Sequence, residues 1–307
     1  MATVAQQRTL PLGSSKADLQ RRTSWTFWFW AGPAIVVAAI FLFYPVLNTI
    51  WSSFFNFDTT QFVGVKNYQK IFTNSSLLEV LRNNLLWLVL ATAGTVFLGL
   101  VVAVLVDRVK FESLAKSAIF IPMAISFVGA SVIWKFVYSY APAGKPQVGL
   151  LNAIITSFGA QPQAWLITTG INNFALIAVY IWMWTGFCMV ILSAALKGIP
   201  AEILEAARVD GASEIAIFFR IIVPMISPTL AVVTTTMIIN VLKIFDIVYV
   251  MTGGFYKTDV VAVEYYKQLF TNFDNGIASG LAVLLLVVIV PIMYFNIKRF
   301  RQQEAQR

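Results

Sequence analysis

Long apolar stretches alternate with short polar ones along this chain. A helix that crosses a bilayer needs about 20 apolar residues. Six stretches meet that length, at 25–50, 85–106, 117–140, 171–196, 229–250 and 276–297. The pattern predicts an all-α integral membrane protein with one transmembrane domain over residues 25–298. A polar, disordered tail at 1–24 precedes it and a short tail at 299–307 follows. Gln20–Trp25 reads "QRRTSW", faintly like a twin-arginine signal. The apolar run behind it is too long for a signal core, so the first helix is expected to stay uncleaved.

Composition strengthens this picture. Of 307 residues, 59% are hydrophobic and 12% charged, against about 25% charged in soluble domains. Mean hydropathy is +0.77. The net charge of +8 raises the question of nucleic acid, but the placement of the basic residues answers for a membrane. Arg8, Lys16, Arg21 and Arg22 lie in the tail, and Arg108, Lys110 and Lys116 between spans two and three. Lys197, Arg208 and Arg220 lie between spans four and five, and Lys298, Arg299, Arg301 and Arg307 at the C-terminus. The opposite loops hold the smaller set Lys66, Lys70, Arg82, Lys145, Lys257 and Lys267. Basic residues concentrate on the cytoplasmic side, so both termini and the loop after span four are predicted to be cytoplasmic.

Several chemistries are excluded. The chain has no His, hence no Ser-His-Asp triad and no His-ligated zinc or haem. Cys188 is the single cysteine, so no intrachain disulfide forms, and within its apolar run it reads as a small core residue. No G-x-x-x-x-G-K-[ST] occurs, and Gly144-Lys145 is followed by Pro146. If ATP is used, another chain binds it.

The predicted cytoplasmic loop at about 198–228 is built like a folded unit. Pro200 suits a helix start, Glu202 and Glu205 complement the helix dipole, and Ile203, Ala206 and Ala207 share a face. Gly211 permits the left-handed backbone that ends a helix. A second helix carries Ile215, Phe218, Phe219 and Ile222, and Pro224 and Pro228 are expected to bend the chain into span five. The small Ala206–Ala207–Gly211 surface suits close approach of another protein. An amphipathic helix lying on the membrane is the other reading of the same residues.

Polar groups within a span are costly and mark function by default. Asn240, Lys243 and Asp246, at i, i+3 and i+6, predict one polar face on span five. Lys243 and Asp246 also suit an internal ion pair. Trp182, Trp184 and Thr185 stand in span four, where the tryptophans also suit interfacial anchoring. Lys135 is expected to snorkel to water.

Glu205-Ala206-Ala207, Gly211, Ile221 and Val223-Pro224, at these spacings, resemble the "EAA" loop of binding-protein-dependent ABC importer permeases. Val223 stands where Leu is usual. Asp210 and Ala212 extend the resemblance to the sugar-permease branch. So do "FVGVKNY" (62–68), "IPMAISFVGASVIWKFVY" (121–138) and "FDIVYVMTGG" (245–254), with Phe255 where Pro is usual. The resemblance covers about residues 25–300. It implies a type I ABC importer permease architecture. A coupling helix around Glu205, Ala206, Ala207, Asp210 and Gly211 would dock in a cytoplasmic ATPase. The implied partners are two P-loop ATPases that hold ATP and Mg, a second homologous permease, an extracytoplasmic solute-binding protein, the lipid bilayer and a sugar-like solute, with no nucleic acid. No cofactor is expected on this chain. Distances from the motifs carry the sugar-contacting positions of the maltose-type permeases onto Met183, Trp184, Phe187, Asn240 and Lys243. Lys243 replaces Asn and Trp184 replaces Gly, which implies a different or smaller ligand. The pattern resembles α-glucoside and glucosylglycerol permeases most. Two other classes are weaker. A stand-alone secondary transporter or channel lacks visible inverted repeats, and a membrane enzyme lacks His and a carboxylate pair.

Overall fold

The computed structural model describes residues 28–107 and 109–304, with 299–304 as backbone only. The tail at 1–24 lies outside the described residues, as do Arg108 and residues 305–307. The chain divides into two units, Met1–Trp51 and Ser52–Arg307. The first contains nearly all of helix α1 (Trp28–Ser52). Its backbone widens into a π turn at Ala39–Phe43. Pro45 accounts for the position, because it has no N–H and its ring crowds the carbonyl of Phe41, four residues back.

The second unit contains α2 (Lys66–Thr73), α3 (Ser75–Val106), α4 (Glu112–Ala124), α5 (Phe127–Val137), α6 (Leu150–Ser157) and α7 (Asn172–Lys197). It continues with α8 (Ala201–Val209), α9 (Glu214–Leu242), α10 (Asp246–Thr252), α11 (Val261–Phe270) and α12 (Asn275–Glu304). Among the described residues there is no strand, only an isolated bridge between Phe55 and Phe62. Helices α1, α3, α7, α9 and α12 are long and apolar enough to cross a membrane, and the bent pair α4–α5 adds a sixth span if counted as one.

Three expected spans differ in detail. The second starts at Ser75 rather than residue 85. The Asn74 side chain accepts from the Ser76 and Leu77 N–H groups at 2.9 and 3.3 Å, and this cap begins a helix whose polar first turns hydropathy passes over. The third span is broken, and α4 and α5 meet at 98°. The Ile125 N–H returns to the Pro122 carbonyl at 3.2 Å, and Ser126 opens α5 by accepting from the Gly129 N–H at 3.1 Å. The fifth span is also broken, at Lys243–Phe245, between α9 and α10. Nor does the second helix expected in the loop after span four stand apart from this span. It forms the first turns of α9, joined to the rest through a π turn at Phe218–Ile222, where the ring of Pro224 crowds the Arg220 carbonyl. Pro224 and Pro228 thus lie within a helix that continues through them.

Lipid tails are as apolar as Leu, so helix pairing in a membrane relies on close packing and buried polar bonds. α3 packs along α7. α4 crosses α7 at Gly186, where a Cβ would lie 2.4 Å from the Ile119 carbonyl oxygen. Cys188 is fully buried beside Met189 and Leu192, as expected of a small core residue. The short second halves of the two broken spans, α5 and α10, pack against each other. Lys135, in the last turn of α5, donates to the Val250 carbonyl at 3.3 Å while staying exposed, so it ties α5 to α10 as well as reaching solvent.

Four asparagines on α3 and α7 fasten the segment after α10. Asn83 donates to the Lys257 and Asp259 carbonyls, both at 2.9 Å. Asn172 donates to the Tyr256 carbonyl at 2.7 Å and Asn173 to the Lys257 carbonyl at 3.1 Å. The Asn84 side-chain oxygen accepts from the Val261 N–H at 2.9 Å. Tyr256 and Lys257 have φ of +58° and +63°. Such backbone costs about 1–3 kcal/mol per residue and persists only where the surroundings enforce it.

Candidate functional site

The two helix breaks meet at one cavity. Its volume is about 230 Å³, and it is lined by Phe127, Tyr180, Trp184, Asn240, Lys243, Ile244, Phe245 and Asp246. Phe127 is the first residue of α5, beyond the first break. At the second break, the Lys243 and Ile244 N–H groups bond only three residues back, to Asn240 and Val241 at 3.3 and 3.0 Å. This tightened end stops α9, and Asp246, acidic in a first turn, starts α10. Tyr180 and Trp184 lie one turn apart on α7 and present their rings to the cavity. Trp184 sits among Phe127, Tyr180 and Phe187, with ring centroids at 6.1, 6.1 and 5.4 Å.

Two buried polar atoms in this wall, the Tyr180 hydroxyl and Trp184 Nε1, have no hydrogen-bond partner. Buried polar groups are nearly always bonded, so an orphaned pair asks for an explanation. Both belong to side chains that line the cavity, where a bound solute or water would satisfy them. A larger cavity, about 290 Å³, lies between Glu79, Arg82, Asn83, Phe174 and Lys257. Its polar groups are mostly engaged already. Lys257 faces Glu79 at 3.7 Å, and its amides hold the segment after α10.

The structure therefore brings Trp184, Asn240, Lys243 and Asp246 together, but not for the reason their spacing suggested. They do not share the face of one helix, because the break separates Lys243 from Asp246. These two form no ion pair with each other, and among the described residues Lys243 has no ion-pair partner. Met183 and Phe187 do not line the cavity. Met183 is 2% exposed and packs into the core with Trp87 and Leu176, and Phe187 lies a turn further along, behind Trp184. Thr185 turns back to the Ile181 carbonyl at 2.6 Å. Trp182 meets Trp134 edge to face at 5.5 Å and packs on the core. Tyr180 and Ile244 carried no signal in the sequence, and Phe127 and Phe245 stood within matched motifs without being marked as site residues, since each is one apolar or aromatic residue among many.

At the far end of α9, the loop between α7 and α9 is a helical hairpin. Pro200 precedes α8, the Gly211 N–H bonds the Arg208 carbonyl at 3.0 Å, and the Ala212 N–H bonds the Ala207 carbonyl at 3.0 Å. Gly211 has φ +82°, and no atom lies within 4 Å of where its Cβ would be. The position thus demands glycine for its backbone and not for want of space. Ser213 caps α9 through the Ala216 N–H, and Arg208 bridges the turn to Glu214 at 2.8 Å. No residue of α8 is buried. Glu205, Ala206, Asp210 and Gly211 are exposed, Ala207 is half-buried, and Val209 and Ile215 are exposed at 87% and 73%.

The base of this hairpin is anchored by charges that sequence reasoning passed over. Lys116 joins Asp107 at 2.7 Å and Glu112 at 2.5 Å. Lys197, the last residue of α7, pairs with Glu112, and Ser193 donates to Asp107 at 2.7 Å.

Comparison with known proteins places the chain. The family described as the binding-protein-dependent transport system inner membrane component matches residues 95–302. The osmoprotective compounds uptake permease protein GgtC of Synechocystis is 58% identical, over 90% of this chain and 99% of that one. The alpha-glucoside transport system permease protein AglF of Rhizobium meliloti is 46% identical, over 91% and 83%. A crystal structure of a bacterial ABC transporter involved in alginate import superposes with a TM-score of 0.79 at 21% identity, over 94% and 99%, and shares the fold. The matched family and the extent of these likenesses make the chain a member of the binding-protein-dependent transport system inner membrane components, the permease subunits of ABC importers.

Proposed function

We infer that this permease carries a sugar or sugar-like osmolyte, of the α-glucoside, disaccharide or glucosylglycerol kind. The cavity at the two helix breaks is the observation that carries the reading. Trp184, Tyr180, Phe127 and Phe245 offer aromatic walls, and Asn240, Lys243, Asp246 and the two orphaned donors offer hydrogen bonds. A carbohydrate matches this mixture, with its C–H faces on rings and its hydroxyls on polar groups. The relatives named for osmoprotective compounds and for alpha-glucosides support it. Helical backbone interrupted at membrane depth is tolerated where it lines a cavity, and such sites are those about which transporters rock.

In this reading α8 is the coupling helix. It docks in a cleft of a cytoplasmic ATPase, and closure of two such ATPases around ATP and Mg displaces it. A second, homologous permease completes the path, an extracytoplasmic binding protein delivers the solute, and both termini face the cytoplasm. The exposed small and apolar side chains of an unburied α8 support docking. The test is uptake by the complex in proteoliposomes with its cognate binding protein, offered radiolabelled glucosylglycerol, sucrose, trehalose and maltose. ATP-dependent import of at least one is expected. Import of none, with another solute class carried instead, removes the carbohydrate reading.

A further inference from the structure

Phe245 belongs to the cavity wall and also begins a run of rings that leads away from it. Tyr249, one turn along α10, stacks on Phe245 with centroids 5.0 Å apart and planes at 15°. Tyr266 of α11 meets Phe245 at 5.6 Å and Tyr249 at 5.2 Å. Phe270, the last residue of α11, meets Tyr266 at 4.9 Å. Tyr249 and Phe270 are 40% and 57% exposed, so the rings keep free surface. They stand at the end of α9 opposite the hairpin at α8, which is the outer side in the orientation inferred above.

We propose that Phe245, Tyr249, Tyr266 and Phe270 form an aromatic track along which a carbohydrate passes between the outer face and the cavity. The proposal rests on the reading of this chain as a carbohydrate permease and adds a binding surface to it. Two observations carry it. The track is continuous with the cavity through Phe245, which lines the cavity and stacks on Tyr249. Its rings follow one another at 5.0, 5.2 and 4.9 Å while Tyr249 and Phe270 keep exposed surface, so a sugar leaving one apolar contact meets the next. The first turn of α11 is held in the core through the buried Val261 and Val263, so the rings have a rigid support.

The test uses the whole complex in proteoliposomes with its binding protein and radiolabelled glucosylglycerol, sucrose and trehalose. Tyr266→Ala and Phe270→Ala should each lower the initial rate for the imported sugar about fivefold, the scale of one lost aromatic contact. Tyr266→Phe, which keeps the ring, should recover most of what Tyr266→Ala loses, whereas Phe270→Leu should fall with Phe270→Ala. Co-purification with the second permease should be unchanged. Wild-type rates in the Ala variants would overturn the track, as would full uptake in Phe270→Leu, which would make the ring mere apolar bulk. Loss of co-purification would overturn it by showing the rings to be packing at a subunit contact. A wild-type complex that carries another solute class and none of the three sugars would instead defeat the underlying carbohydrate reading.

Discussion

Lys243 brings a positive charge to a cavity walled by aromatic rings and has Asp246 near it without pairing to it. Asn240, Lys243, Asp246 and Trp184 were legible in the sequence because polarity or bulk inside an apolar run is costly and draws notice. Tyr180 was not, because its meaning lies in a hydroxyl left without a partner, and only coordinates reveal that. Met183 and Phe187 fall outside this cavity because distances from motifs fix a helical turn but not which neighbour each side chain meets. Lys243→Ala should lower uptake about tenfold, the scale of a lost charged hydrogen bond. The melting temperature of the complex should hold, since no ion pair is broken. Lys243→Ala/Asp246→Ala should not recover uptake. Loss of melting temperature restored in the double variant would show a structural pair instead. Gly211 makes a second case, with its φ of +82° and open space around it. A side chain there meets about 1–2 kcal/mol of backbone strain and no clash. Gly211→Val should therefore weaken solute-stimulated ATP hydrolysis by the complex, and Gly211→Asn, which tolerates the left-handed region, should retain most of it.

The apolar spans and their order were readable at the scale of elements, and their interruptions and the short helices between them were not. Hydropathy averages over a window longer than the breaks at Ile125–Ser126 and Lys243–Phe245, so a broken span and a whole one score alike. The signs were local. Ser126 stood ready to cap behind Pro122, and Lys243 sat where a helix end tolerates a cation. The paired asparagines at 83–84 and 172–173 were a second unread sign. They stand on α3 and α7 and hold three carbonyls and one N–H of a backbone that would otherwise relax. Asn83→Leu removes two of those bonds at once. It should destabilise the purified complex by about 1–3 kcal/mol, seen as a lower melting temperature. An unchanged melting temperature would mean the left-handed turn at Tyr256–Lys257 holds itself.

The six-span, all-α design followed from apolar length alone for the molecule as a whole, and the hairpin at α8 from its punctuation by Pro200 and Gly211. The sequence contains no phosphate loop, so the purified chain should neither bind nor hydrolyse ATP. Equilibrium dialysis with labelled ATP checks the first and phosphate release the second, and specific binding by the isolated chain would contradict the assignment of ATP to a partner. One further consequence follows from α8 having no buried residue. Apart from Arg208, which holds Glu214 across the turn, its side chains are little constrained by packing inside this subunit, so most substitutions there are weakly filtered by folding. If α8 docks on an ATPase as proposed, its exposed face is free to drift with that partner, while α7 and α9 keep their packing and the cavity keeps its solute. In such a protein, choice of motor and choice of cargo evolve as separate traits.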